Sequence, residues 1–141
     1  MNQKVILDAE KVIADLASKE GAGYCTLALI DEDGFPSAST VSILKSDGIK
    51  TLSFCGGLGD NKAKRAANCN RASICVNSLY YNITLVGTLE ILTDGETKKG
   101  MWNAFCNEYW TGPEDPDFCV FRFHTQRYNL YVNEGMAEGK L

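Results

Sequence analysis

Residues 23–55 alternate short β-rich runs with tight turns: GYCTLALI, then DEDG, FPSASTVSIL, SDG and IKTLSFC. Connections this short join only antiparallel neighbours, because a parallel crossover needs a dozen or more residues. The stretch therefore predicts a three-stranded meander. ASICVN and NITLVGTLEIL supply two further strands, the second with a bend or bulge expected at Gly87. CVFRFHTQRYNLYV reads as one long strand or a bent pair. Three helices are expected around these strands. Val5, Ile6, Ala9, Val12, Ile13, Leu16 and Ala17 recur at helical spacing over residues 3–19, with Gly21 and Gly23 ending that helix. AKRAAN, after Lys62, reads as a short second helix, and ETKKGMWNAFCNEYW as a third, followed by TGPEDPDF, whose two prolines cannot continue it. Many strands with tight turns and few helices argue a mainly β, α+β fold: an antiparallel β-barrel with flanking helices, not a βαβ sheet.

A chain of 141 residues buries one core, so residues 1–141 are read as a single domain. Its net charge of -4 argues against nucleic acid or an anionic membrane as partner, while leaving room for a local anion site. No apolar run approaches the length of a membrane span, and the start lacks a signal peptide's apolar centre, so a cytoplasmic protein is expected. The six cysteines are scattered, with no C-x-x-C pair, and His124 is the single histidine. No metal site and reduced, half-buried thiols are the expectation.

One segment stands out: CGGLGDNKAKRAANCNRAS, residues 55–73. Gly56, Gly57 and Gly59 precede Asp60, Asn61 and Lys62 at the start of the second helix. Amides at a helix start have no intrahelical acceptor, and the helix dipole favours negative charge there. Lys62 places a positive charge where helix stability alone would prefer an acid, which suits a bound anion. The segment is neither a P-loop nor a dinucleotide-binding glycine motif. Cys55 has two readings, a thiolate beside a helix start or a packing residue. His124, in FRFHTQRY, reads as a structural strand residue.

Over residues 23–132 the order of elements resembles the pyridoxamine 5'-phosphate oxidase-like family of FMN-binding split barrels, in its short, general-stress-protein-type branch. The resemblance rests on PSASTVSILK, on the strand ending in F-C-G-G with a following lysine, and on N-I-T-L-V-G-T-L-E-I-L. It implies a six-stranded, Greek-key split barrel, FMN as cofactor, and a homodimer with flavin at the subunit interface. It further implies that Ser39, Thr40, Val41 and Ser42 run along the flavin, and that Cys55, Gly56, Asn61 and Lys62 surround its phosphate. Asn82 and Tyr131 would approach the flavin ring, and Trp110 and Thr111 would lie on a loop covering the partner's flavin. As residues alone, Asn82 and Tyr131 are equally ordinary strand residues, and Trp110 equally a plug for its own barrel. Three departures stand out: Thr40 replaces a common arginine, Asp60 a serine, and the ending NEGMAEGKL lacks the arginines of true pyridoxamine-phosphate oxidases.

The implied chemistry has three forms. In the first, FMN passes electrons from a reduced nicotinamide or similar donor to a small organic substrate, with no catalytic residue of the chain identified. In the second, the protein holds flavin without turnover, as a carrier, sensor or stress-related buffer. The third keeps the barrel and replaces FMN by heme or a deazaflavin. Asp60 is expected to act as helix N-cap rather than to face the phosphate.

Overall fold

The computed structural model describes residues 2–141. The chain runs α1 (Asn2–Ala17), β1 (Tyr24–Ile30), β2 (Pro36–Ser42), β3 (Lys45–Asp47), β4 (Thr51–Gly57), α2 (Asn61–Asn68), β5 (Arg71–Asn77), β6 (Tyr81–Leu92), α3 (Gly95–Met101), a 3₁₀ turn (Ala104–Glu108), β7 (Phe118–Val132) and β8 (Gly135–Lys140). All pairings are antiparallel, in the order β2-β1-β5-β6-β7-β4-β3, with β8 added on β7.

Eight strand segments stand where six strands are expected. The difference has two sources. The expected strand at residues 35–44 continues past Leu44 into β3, so that Ser46 and Asp47 are strand and the turn begins at Gly48 (φ +56°). Its first half pairs with β1 and its second with β4, with Ile43 N–H donating to Gly23 O and Leu44 N–H to Ser53 O at the switch. One bent strand thus joins the two ends of the sheet. The second source is β8, formed by the C-terminal residues to which the sequence assigned no element. It folds back on β7 through Asn133 and Glu134, both in the left-handed region, as a two-residue hairpin turn requires.

β7 is the longest strand and organises the barrel. One edge pairs with β6 along its length; the other pairs first with β4 and then with β8. The ladder between β6 and β7 slips at Val86/Gly87, leaving Gln126 as an extra residue. That bulge lies where Gly87 predicts it. A Cβ on Gly87 would overlap the carbonyl of His124.

Strand alternation sends Leu27, Ile74, Ile83, Leu85, Phe121 and Phe123 inward, all essentially inaccessible. Each such burial contributes about 1.5–3 kcal/mol. Phe54 stacks on Phe121 at 5.6 Å between ring centroids. Val5 is followed on the same face of α1 by Ala9, Ile13 and Leu16, and that apolar stripe closes the barrel against β3, β7 and β8.

The third helix is shorter than expected. It stops at Met101; Trp102 turns extended and packs edge-on against Phe118 at 4.9 Å. Asn103 then restarts the chain as a cap, its side chain accepting the Phe105 N–H at 2.9 Å. An asparagine that competes with helical backbone bonding breaks a pattern that periodicity alone reads as continuous.

Candidate functional site

A groove of about 960 Å³ opens where four segments meet: the turn after α1, the end of β2, the end of β4 leading into α2, and residues 103–110. Thr40, Val41, Ser42, Cys55, Gly56 and Lys62 line it, and Trp110 forms part of its wall. Seven of the twelve residues expected at the site are therefore gathered in one place.

The other five stand outside the groove of their own chain. Ser39 and Asn61 adjoin lining residues, and Thr111 follows Trp110, its N–H and hydroxyl both bonded to the Asp115 carboxylate. Asn82 and Tyr131 face each other across β6 and β7, with Asn82 accepting from the Cys75 thiol at 3.3 Å. Tyr131 is 40% exposed there.

The glycine loop works differently from expectation. Asp60 stands at the N-cap position of α2, but its side chain makes no bond to the helix; its carboxylate accepts the Gly57 N–H at 2.9 Å instead. Asp117 accepts the Gly59 N–H at 3.0 Å and the Trp110 indole N–H at 3.0 Å, and its carbonyl accepts from Leu58. The loop amides are thus occupied by the chain's own carboxylates. The glycines serve close approach instead: a Cβ on Gly56 would overlap Phe121, and one on Gly57 the Asp117 carboxylate.

What remains open is the start of α2. No side chain caps it, and its first intrahelical acceptor is used by Lys64, which donates to Asp60 O at 3.2 Å. Lys62 joins no ion pair among the described residues. Uncapped amides, a favourable dipole end and an ammonium outside any ion pair are the groups here that can receive an anion.

Sequence reasoning missed the opposite wall. Glu20, Tyr24, Asn103, Phe105, Glu108 and Tyr109 also line the groove. Glu20 follows an unusual backbone, φ +52°, before Gly21 at φ +96°, and Phe105 packs closely on Gly21. The Ser42 hydroxyl donates to Gly21 O, tying β2 to that turn. Phe105, Tyr109, Trp110 and Phe118 form a chain of tilted and edge-on ring contacts, 5.1–5.6 Å apart. In the sequence the glycines at 21 and 23 mark the end of α1, and Phe105 and Tyr109 read as the apolar face of the third helix, directed toward a core or a partner.

Cys55 is half-buried in the groove floor near Met101 O and the Cys106 thiol. Burial, with Cys106 adding to it, pushes its thiol strongly up, which favours the packing reading of Cys55 over a reactive thiolate. Burial likewise raises Cys25 and Cys119 to about 12. These shifts predict alkaline lability. An unfolded thiol loses its proton from about pH 8.5, whereas these stay protonated, so unfolding releases protons and stability falls as pH rises from there toward 12. Urea titrations at pH 8 and pH 10 should show the fall, and Cys119→Ala should shallow it.

His124 lies on the barrel exterior, its Nε2 2.8 Å from Glu90 Oε1, and does not line the groove.

Comparison with known proteins follows the fold closely. The family model for pyridoxamine 5'-phosphate oxidase matches residues 13–131. No curated protein matches the sequence. Among solved structures, a Clostridium acetobutylicum protein related to general stress protein 26 of B. subtilis superposes with a TM-score of 0.83 at 22% identity, covering 100% of this chain and 97% of that one. A pyridoxamine 5'-phosphate oxidase-related, FMN-binding protein from Nostoc punctiforme gives 0.71 at 13% identity, covering 99% and 96%. A heme-binding protein from Mycobacterium smegmatis gives 0.69 at 22% identity, covering 94% of this chain and 57% of that one.

Proposed function

Because the chain belongs to the pyridoxamine 5'-phosphate oxidase family, we propose that its groove holds FMN and that the protein is a flavin-dependent oxidoreductase working as a homodimer. The carrying observation is Lys62, unpaired in the uncapped first turn of α2 at the edge of a groove floored by Thr40, Val41 and Ser42. These residues fit a flavin phosphate: Lys62 and the first-turn amides hold the anion, and the Asp60 carboxylate, bonded to Gly57, leaves those amides free. The Thr40 hydroxyl and the β2 backbone run along the body of the ligand, while Phe105, Tyr109 and Trp110 wall it from water. When bound, FMN supplies hydride and single-electron transfer, so the chain need not provide an acid or base of its own.

A reduced nicotinamide as donor and a small organic acceptor complete the proposed reaction. Flavin binding without turnover is separated from it by adding NADH or NADPH to the FMN-loaded protein and following flavin bleaching. The exterior position of His124 favours flavin over heme, since the single histidine presents no imidazole in the groove. A deazaflavin would use the same walls.

Dimerisation answers the placement of Asn82 and Tyr131. Both lie on an outer sheet face that also carries Tyr24 (62% exposed) and Met136 (72% exposed). A second copy docked on that face would cover these side chains and bring Asn82 and Tyr131 toward its groove. Light scattering should give twice the 15.5 kDa chain mass. Titration with FMN should produce bound-flavin absorption that survives gel filtration. A monomer that binds no FMN would overturn the proposal; the same titration with heme then tests the third form.

A further inference from the structure

We propose a second ligand site, for a small organic oxyanion such as a phosphate ester or carboxylate, in a groove of about 550 Å³ beside the β6–β7 bulge. It lies at the far end of the strands that form the FMN groove. β2 contributes Thr40 to Ser42 to one and Pro36 to the other; β1 contributes Tyr24 to one and residues 28–30 to the other. Pro36 lies four strand residues from Thr40, and Ala28 four from Tyr24, about 13 Å at the usual rise, and the two grooves share no lining residue.

Every charged residue lining this second groove is a cation. Arg71 and Arg127 flank β6, opposite Thr88 and Val86 respectively. Asn70, Gln126, Ser73 and Thr88 add amides and hydroxyls, and no carboxylate lines it. Neither arginine joins an ion pair among the described residues, and Lys140 stands opposite Arg127 across β7 and β8. Such a concentration is notable in a chain of net charge -4. The register shift leaves Gln126 without a partner on β6, and Gln126 lines the depression together with Arg71 and Arg127. Arginine's fixed fork suits planar or tetrahedral oxyanions. Ile30, Pro36 and Val86 line the same depression with apolar surface, which suits an organic body behind the anionic head.

The test is an amide-resolved NMR titration of the full chain with phenyl phosphate, using benzyl alcohol as the neutral control and inorganic phosphate as the control without a ring. Saturable shifts centred on residues 70–73, 86–88 and 126–127 are expected for phenyl phosphate, weaker ones for inorganic phosphate, and none for the alcohol. Arg71→Gln and Arg127→Gln should each weaken binding about tenfold, the usual scale for losing a charge-assisted hydrogen bond. The double variant should lose it while its spectrum stays dispersed, since both side chains are exposed. Shifts confined to the start of α2, undiminished binding in the double variant, or no saturable shift at millimolar ligand would each overturn the site.

Discussion

Lys62→Glu is expected to weaken FMN binding about 100-fold, and Lys62→Ala about tenfold, in equilibrium dialysis at low salt. Two unit charges about 4 Å apart interact by about 4 kcal/mol at the effective dielectric of a protein surface. An open groove screens part of that, and a tenfold change needs only about 1.4 kcal/mol. Reversing the charge removes the attraction and adds a repulsion, so the larger effect belongs to glutamate. The helix responds oppositely. An acid in the first turn of α2 meets the favourable end of the dipole and gains about 0.3–1 kcal/mol, so Lys62→Glu should unfold no more readily than the parent. Affinity and stability therefore move apart, which damage to the fold would not produce. Raising salt should weaken the parent's binding and narrow its gap from the variant. Equal affinity in parent and glutamate variant would remove the phosphate from the start of α2.

Asp60 bears on the same site. Where the family resemblance implies a serine, its carboxylate holds the Gly57 amide and lines the same groove as Lys62. The sequence reading anticipated the conflict of charge and resolved it through a helix cap. The actual resolution is a backward bond into the loop, because Asp60 lies three residues beyond Gly57 and its extended backbone lets the side chain reach that amide. Asp117 makes the corresponding bond to Gly59 across 58 residues of chain, a distance over which no local pattern could pair them.

The same division runs through the molecule. Strands were legible wherever apolar residues alternate between turn signals, as in β1, β5 and β6, because one barrel face is dry and the other wet. β8 was not, since GMAEGK carries one buried residue, Ala137, and depends on β7 as its template. The continuous-helix reading of residues 96–110 failed because the cap at Asn103 and the Trp102–Phe118 contact outweigh periodicity. Within the site, the β2 hydroxyl strand and Lys62 could be seen from local order and family resemblance. The acidic, aromatic wall of Glu20, Glu108 and Tyr109 could not, because chain segments distant in sequence converge to build it.

Gly87→Ala should cost about 3 kcal/mol and lower the melting temperature by roughly 10 °C, on the usual scale for an overpacked site in a domain of this size. The added methyl would meet the His124 carbonyl, and Gln126 N lies 3.1 Å from the same point. Both belong to the backbone of β7, which cannot swing aside as a side chain would. β7 is also paired on both edges here, Thr125 N–H donating to Lys50 O and Gln126 O accepting from Leu141, so yielding at the bulge would disturb β4, β6 and β8 together. Gly100→Ala supplies the contrast. It lies inside α3 with nothing within 4 Å of the added carbon, and alanine there should stabilise by up to about 1 kcal/mol. The two substitutions are chemically identical and differ only in surroundings, so thermal melts of the pair separate close backbone packing from intrinsic helix preference. If Gly87→Ala melts with the parent, β7 can shift locally, and the bulge is a softer feature than its double-edged pairing indicates.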